Sequence, residues 1–225
     1  MARFDFTFPR TPHNIYASKG KEFESVVRAV VNDNLHDTTP ILECLDRISI
    51  PHGFRLFLYI ARAKGMGDES YFFLAPEETS LNDVQEHAPW EKDLLRLLEV
   101  EPSEMGAWQA HLLFTSPCIL PTFWHGGYIQ REYIYSYVTL RDVIPPEVED
   151  IQEKLKGLVN ENLLPSVSKS GNTFNVSCVS WSQWGGLMRD KVGFKFNGSH
   201  ISDILYDEEE KNREILIPYN CGILF

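Results

Sequence analysis

The chain has 225 residues, of which 43 % are hydrophobic and 12 % aromatic, so it can bury a real core and is not a disordered polypeptide. Its formal net charge of −11 repels nucleic acid and anionic lipid, which excludes proteins that bind either of them through a basic surface. No apolar run approaches the roughly 20 residues that span a bilayer, and the N-terminus lacks the apolar stretch of a signal peptide. We therefore expect a soluble cytoplasmic protein with no membrane contact.

The first predicted element is an amphipathic helix near residues 21–34. Its apolar side chains recur at the spacing that places them on one helical face: Phe23, Val26, Val27, Val30 and Val31. A second, short helix is expected to begin with Thr39 as its N-cap and Pro40 in the first helical position, and to end near Arg47.

A β-hairpin is predicted next. Phe54 to Ala63 is apolar on both alternating faces apart from two arginines, as in a central strand, and Tyr71 to Leu74 forms the returning run. The connecting sequence, Gly65-Met66-Gly67-Asp68-Glu69-Ser70, resembles a dinucleotide-binding loop, but it lacks the third glycine and leads into a strand where a helix should begin. The pattern therefore favours a hairpin turn, and no cofactor is expected.

Helical patterns continue to residue 98, and the segment after them is ambiguous. Ser80 and Asp83 have the spacing of a capping box, and Pro89 divides this helical region into two pieces. The second piece takes its apolar face from Trp90, Leu94, Leu95, Leu97 and Leu98. Residues 105–114 fit both a helical and an alternating pattern, so the sequence leaves both elements open.

A long strand is predicted over residues 128–140, with three tyrosines on one face: Tyr133, Tyr135 and Tyr137. Pro145-Pro146 then opens another helix. Its buried stripe is expected to contain Val148, Ile151, Leu155 and Leu158. Because we find no internal repeat and no linker-like stretch, residues 1–225 are predicted to form a single domain, with its weakest seam at 141–146.

The C-terminal third has the clearest pattern, an antiparallel meander from about Phe174 to Pro218. Three apolar side chains alternate along one strand and are expected to face the core: Val192, Phe194 and Phe196. Asn197-Gly198 then makes a two-residue turn, and residues 201–206 return. Helices and hairpins mixed without regular βαβ repetition predict an α+β fold, with amphipathic helices packed on one face of the sheet.

The negative charge is concentrated in one segment. Between Asp68 and Glu104 there are eleven carboxylates and two cations, a net charge of −9. Because such a field attracts basic partners, we interpret this segment as a surface that binds a basic protein, in the manner of a toxin-neutralising or immunity-type inhibitor. Glu86, Glu91 and Asp93 are its candidate contact residues. The alternative interpretation is a solvated helix face, and the sequence leaves the oligomeric state open.

The loop from Ser116 to Tyr128 carries a second hypothesis, a hydrolase or transferase. Its prolines stiffen it and its glycines allow backbone to approach a ligand. A thiol at Cys118 beside the imidazole of His125 would match the arrangement of cysteine hydrolases, and Trp124 would add a large binding surface. A packed connection, in which His125 caps backbone carbonyls, is the other interpretation of this loop.

Two further aromatic residues and the cysteines complete the candidates. Trp181 and Trp184 precede two glycines, and they either form a binding ledge or pack against the preceding strand. The four cysteines include no CxxC pair and the histidines show no metal-binding spacing, so neither a disulfide framework nor a metal site is expected. Cys178 is expected to be buried, because it shares the apolar face of Phe174 and Val176.

Overall fold

Residues 10–32, 38–63, 67–79, 91–116, 131–145, 148, 150–158, 161–205 and 213–222 are described by the computed structural model of the chain. The helices in these ranges are α1 (Ile15–Asn32), α2 (Thr39–Cys44), α3 (Glu91–Leu97), α4 (Glu104–Thr115), α5 (Tyr137–Val143) and α6 (Ile151–Leu158). The strands are β1 (Ile48–Ser49), β2 (Phe54–Ala63), β3 (Gly67–Pro76), β4 (Glu99–Val100), β5 (Glu132–Tyr133), β6 (Ser166–Ser170), β7 (Thr173–Ser182), β8 (Gly186–Asn197), β9 (His200–Leu205) and β10 (Arg213–Ile217). Helices and antiparallel strands are mixed along the chain, so the predicted α+β class is confirmed.

The N-terminal helices form where the sequence predicts them, with different ends. In α1 the side chains of Phe23, Val27 and Val30 are buried, as the helical spacing requires. Helix α2 ends at Cys44, earlier than expected, and its N-cap is Thr38. The Thr38 hydroxyl donates to the carbonyl of Leu56 at 2.6 Å, so it ties the helix to strand β2 instead of capping the helix. No helix in the described ranges is both long and apolar enough to cross a membrane.

Strands β2 and β3 form the predicted hairpin. They pair antiparallel and in continuous register from Phe54 opposite Pro76 to Ala63 opposite Gly67. Strand β3 is longer at both ends than the predicted run, and residues 64–66, in the predicted turn, lie outside the described ranges. One face of the hairpin contributes to the main apolar cluster through Leu56, Leu58, Phe72 and Leu74. Alternation of core-facing side chains along each strand thus seats the hairpin on the rest of the fold.

The main sheet has six antiparallel strands, with β7 and β8 at its centre. Strands β6 and β5 pair with the two halves of β7, while β9 and β10 pair with the two halves of β8. The predicted meander is confirmed for β7, β8 and β9, including buried Val192, Phe194 and Phe196. The turn at Asn197-Gly198 places Gly198 at a φ of 61°, a conformation that favours glycine. Strand β10 returns to β8, because β9 occupies only part of that edge.

Each face of this sheet carries an apolar cluster. Phe174, Val176 and Cys178 on β7 point to the face where α1 and α4 pack, which agrees with the predicted helical layer. The intervening residues point the other way. There a second cluster joins Val179 and Trp181 to helices α5 and α6. The sheet therefore separates two clusters that share its central strands.

The long strand predicted over residues 128–140 is wrong. Only Glu132–Tyr133 is strand in the described part of this segment, and helix α5 begins at Tyr137. The Ser136 hydroxyl accepts a hydrogen bond from the backbone N–H of Thr139 at 3.2 Å, and this cap starts the helix. The three tyrosines are all buried, but Tyr137 belongs to the second cluster and the other two to the main one.

Three other helical predictions have different outcomes. The ambiguous segment 105–114 is helical, because Ser103 accepts a hydrogen bond from the Gly106 N–H at 3.0 Å and caps α4. Leu94 and Leu95 of helix α3 and Leu98 directly after it are buried, whereas Leu97 is 47 % exposed. Helix α6 begins at Ile151, later than expected, and Val148 and Leu155 are buried as predicted. The predicted capping box at residues 80–83 and Trp90 lie outside the described ranges.

Candidate functional site

Several residues that the sequence marks for function lie outside the described ranges. They are Glu86, Cys118, Trp124 and His125. Glu91 and Asp93 belong to helix α3, but their side chains are also outside the described part of the chain. The hypotheses that rest on these residues therefore stay predictions.

The two C-terminal tryptophans have different environments. Trp181 on β7 is 3 % exposed, and its ring centroid lies 5.2 Å from that of Tyr219. It packs in the second apolar cluster with Leu187 and Ile217. Trp184 is half-buried in the turn that leads to β8. Burial gives Trp181 a packing role, and a binding role for the pair stays a prediction.

The end of the acidic segment borders a shallow surface depression around the β1–β4 pair. Its lining includes the exposed side chains of Asp46, Arg47, Glu99 and Glu101. Arg47 donates to the Glu101 carboxylate at 2.6 Å and lies 3.6 Å from that of Asp46. The hydrogen bond from Arg47 lowers the pKa of Glu101. The charged lining of this depression is therefore three carboxylates and one guanidinium, a surface suited to a cationic group.

A second site is buried between helix α4 and the sheet. We call it the polar cluster, and it consists of Trp108, His111, Tyr133, Cys178 and Ser180. His111 Nε2 lies 3.2 Å from the Cys178 sulfur, at hydrogen-bond distance. The imidazole stacks on the Trp108 ring at 5.4 Å between centroids and meets the edge of Tyr133 at 6.4 Å. Each of these five side chains is less than 5 % exposed.

Local structure explains why these side chains meet. Cys178 and Ser180 are two residues apart on β7 and so point to the same face of the sheet. Tyr133 on β5 is the register partner of Ser180, which places it on that face too. Trp108 and His111 are three residues apart on α4, and this spacing brings two side chains onto one side of a helix. Packing α4 on the sheet then closes the cluster.

The charged groups nearest the polar cluster are arranged around Asp190. This carboxylate lies on β8, opposite Cys178 in the β7–β8 register. It accepts from Arg131 Nη1 at 2.5 Å and from Arg213 Nε at 2.9 Å, with only 5 % of its side chain exposed. Two guanidinium groups on one buried carboxylate leave it compensated. The network joins strands β8 and β10 to Arg131, the residue that precedes β5.

Burial controls the protonation of His111. It lowers the pKa of the imidazole to about 4, with the Arg131 charge acting in the same direction and the Asp190 charge against it. His111 is therefore neutral near pH 7, and its contact with Cys178 joins a neutral ring to a sulfur. Which of the two atoms carries the proton depends on the imidazole tautomer.

The polar cluster contains buried atoms with unused hydrogen-bonding capacity. Within the described ranges, His111 Nδ1, Trp108 Nε1 and Ser180 Oγ have no hydrogen-bond partner. Burying such a group without a partner costs about 1–3 kcal/mol. One such atom in the imidazole of the thiol–imidazole pair and two beside it lower the stability of the fold at this place, which is typical of a functional site.

Helix α1 packs against Tyr135 and Trp108, two aromatic side chains at the polar cluster. Gly20 lies directly against the ring of Tyr135, which stacks on Tyr133 with 6.2 Å between centroids. Tyr16 meets the edge of Trp108 at 6.1 Å. The carboxyl group of Glu24 lies beside the Tyr135 hydroxyl, and burial raises the pKa of Glu24. In the described part of the chain Glu24 Oε1 and the Tyr135 hydroxyl have no well-aligned hydrogen-bond partner, so one oxygen of a largely buried carboxyl is unsatisfied where α1 packs.

Sequence reasoning did not single out His111 as a functional residue. It lies 67 residues from Cys178, so no local motif joins the two. The available signal was indirect: Cys178 was expected on a buried face, and His111 is a titratable ring inside an otherwise apolar helical stretch. In the described ranges no three His, Cys, Asp or Glu side chains are grouped as metal ligands.

Comparison with known proteins adds no identity to this geometry. No protein-family model, no curated protein and no solved structure matches the chain significantly.

Proposed function

We propose that the chain is a cytoplasmic binding protein that presents its acidic segment to a basic protein partner, as a toxin-neutralising inhibitor would. The proposal rests on the concentration of charge, because residues 68–104 hold nine of the eleven net negative charges of the chain. A field of this kind raises the rate at which an oppositely charged partner is captured.

The structural feature that supports the proposal is the depression around β1 and β4. Glu99 and Glu101 project from the acidic segment into solvent there, and Asp46 from another part of the chain joins them. Arg47 lies within reach of Asp46 and Glu101 and holds them close together without balancing all three charges. A lysine or arginine of a partner would find carboxylates already grouped, so little side-chain entropy would be lost on binding.

The test uses two charge reversals of equal size. Glu99→Lys changes the depression, whereas Glu153→Lys places the same change on the exposed surface of helix α6. Each variant and the original chain are used at low salt to capture partners from the native host, and captured proteins are identified by mass spectrometry. We expect a basic protein that the original chain and Glu153→Lys retain and that Glu99→Lys loses.

Association kinetics then distinguish electrostatic steering from other contacts with the partner. The association rate of the captured partner should fall as salt rises, because exposed charges are screened beyond a Debye length of about 8 Å at physiological ionic strength. The proposal is wrong if the association rate changes neither with salt nor with Glu99→Lys, or if the two charge reversals weaken binding equally. The hydrolase or transferase hypothesis at Cys118 and His125 stays a separate prediction.

A further inference from the structure

The polar cluster contains the two groups that nucleophilic acyl transfer requires. The Cys178 sulfur and His111 Nε2 are 3.2 Å apart, within the range in which an imidazole takes the proton of an attacking thiol. In this closed conformation burial lowers the pKa of His111 to about 4, so the ring is unprotonated near pH 7 but a weak base, and its basicity rises when a covering element moves and the ring is solvated. Stacking on Trp108 and edge contacts with Tyr133 and Phe194 hold that ring in place.

The surroundings of the pair add groups that a bound carbonyl compound would satisfy. Trp108 Nε1 and Ser180 Oγ are fully buried donors without a partner in the described part of the chain. A carbonyl oxygen accepts hydrogen bonds, and it accepts stronger ones as negative charge develops on it during attack. An ion would have to give up its hydration among aromatic rings, so the surroundings of the pair favour a small uncharged substrate.

We propose that Cys178 and His111 are the nucleophile and general base of an acyl-transfer site for a small neutral ester or thioester, closed by helix α1 in this conformation. This activity is independent of partner binding at the acidic segment. The sulfur attacks the carbonyl carbon while its proton passes to His111, and the bond to the leaving group breaks as His111 returns that proton to it. Water then attacks the thioester, gives one proton to His111 and releases the acid, and the proton returns to Cys178.

In this conformation the site is closed by helix α1, which explains why the side chains of Cys178 and His111 are inaccessible to solvent. Cys178 and His111 are each 1 % exposed, so substrate enters only when a covering element moves. Helix α1 is that element, since it lies on Tyr135 and Trp108, the aromatic side chains that flank the pair. Its contact with Tyr135 requires Gly20, because a Cβ there would lie 2.4 Å from the ring. A methyl group added at position 20 would therefore displace either helix α1 or the Tyr135 ring.

The experiment compares two glycine substitutions. Gly20→Ala introduces the methyl group under α1, whereas Gly157→Ala on α6 introduces the same group into open space. Each purified chain is incubated with para-nitrophenyl acetate, and acetylated cysteines are located by mass spectrometry of peptides. We expect Gly20→Ala to acetylate and turn over at Cys178 about tenfold faster than the original chain, and Gly157→Ala to match the original chain.

Two further variants decide the mechanism. Cys178→Ala and His111→Phe, each combined with Gly20→Ala, should abolish the gained turnover, and phenylalanine keeps a ring stacked on Trp108. Acetylation of Cys178 that survives His111→Phe would overturn the proposal, as would no gain in folded Gly20→Ala. When Gly20→Ala does not fold, the original chain is tested in urea below its unfolding transition. Acetylation of Cys178 that then merely follows global unfolding overturns the proposal, and acetylation well before unfolding supports it.

Discussion

Gly20 packs against the ring of Tyr135 more closely than any residue with a side chain could at this position. A Cβ built on Gly20 would lie 2.4 Å from Cε1 of the tyrosine ring and 2.7 Å from its hydroxyl oxygen. Glycine normally weakens a helix interior, so its presence in α1 is explained by this approach. The contact packs helix α1 against Tyr135, which in turn stacks on Tyr133 of the polar cluster.

The first prediction concerns this contact. Gly20→Ala should lower the free energy of unfolding by about 1–3 kcal/mol, because overpacking a tight site costs more than the helix propensity gained. Gly157→Ala, whose Cβ meets nothing within 4 Å, should instead raise it by roughly 0.5–1 kcal/mol. Urea unfolding followed by circular dichroism measures both. Equal stability of the two variants would show that α1 does not depend on the Gly20 contact.

The second prediction concerns Glu24. Burial raises the pKa of this carboxyl in the folded protein, so its contribution to stability is present at acid pH and is lost as the pH rises through the raised pKa. Glu24→Gln keeps the shape and removes the ionisation. This variant should therefore be more stable than the original chain at neutral pH. Its gain in the free energy of unfolding should be smaller at acid pH.

Unfolding in urea at several pH values gives this comparison, with Glu153→Gln on the exposed face of α6 as the control. A gain for Glu24→Gln that is the same at every pH would contradict the assigned cause.

The third prediction concerns His111. Its pKa falls from 6.5 to about 4 on burial, so the folded state resists protonation. The stability that this provides is present above the ordinary pKa and is lost as the pH falls from 6.5 towards 4, by roughly 3 kcal/mol at most. His111→Phe should lose less stability than the original chain between pH 7 and pH 4, as measured by urea unfolding. Exposed His52, replaced by Gln, is the control and should leave the acid dependence unchanged.

The fourth prediction concerns Asp190. Asp190→Asn removes the negative charge that Arg131 and Arg213 both contact in a largely buried place. We expect a loss of up to about 3–5 kcal/mol in the free energy of unfolding, because the substitution removes a buried charge that two largely buried guanidinium groups share. Glu214→Gln, which removes a half-exposed carboxylate that contacts Arg189, should change stability little. Similar losses in the two variants would refute a special role for the buried network.

The sequence alone predicted the elements whose cause is local. Alternation of Val192, Phe194 and Phe196 next to Asn197-Gly198 is enough to specify a strand, its buried face and its turn, because these depend on neighbouring residues. The hairpin formed by β2 and β3 is explained by the same kind of pattern. The same reasoning failed over residues 128–140, where the tyrosine alternation suggested a strand and the Ser136 cap began a helix.

Only the tertiary structure decided what distant segments do together. Cys178 was predicted to be buried, but nothing near it in sequence indicates that His111 lies 3.2 Å from its sulfur. Nor does alternation in β10 show that its neighbour is β8. Periodicity reports which face of an element is apolar, and many partners can cover an apolar face. The choice among them depends on how whole faces fit and which polar atoms are satisfied, so the polar cluster exists only once α1, α4 and the sheet are packed together.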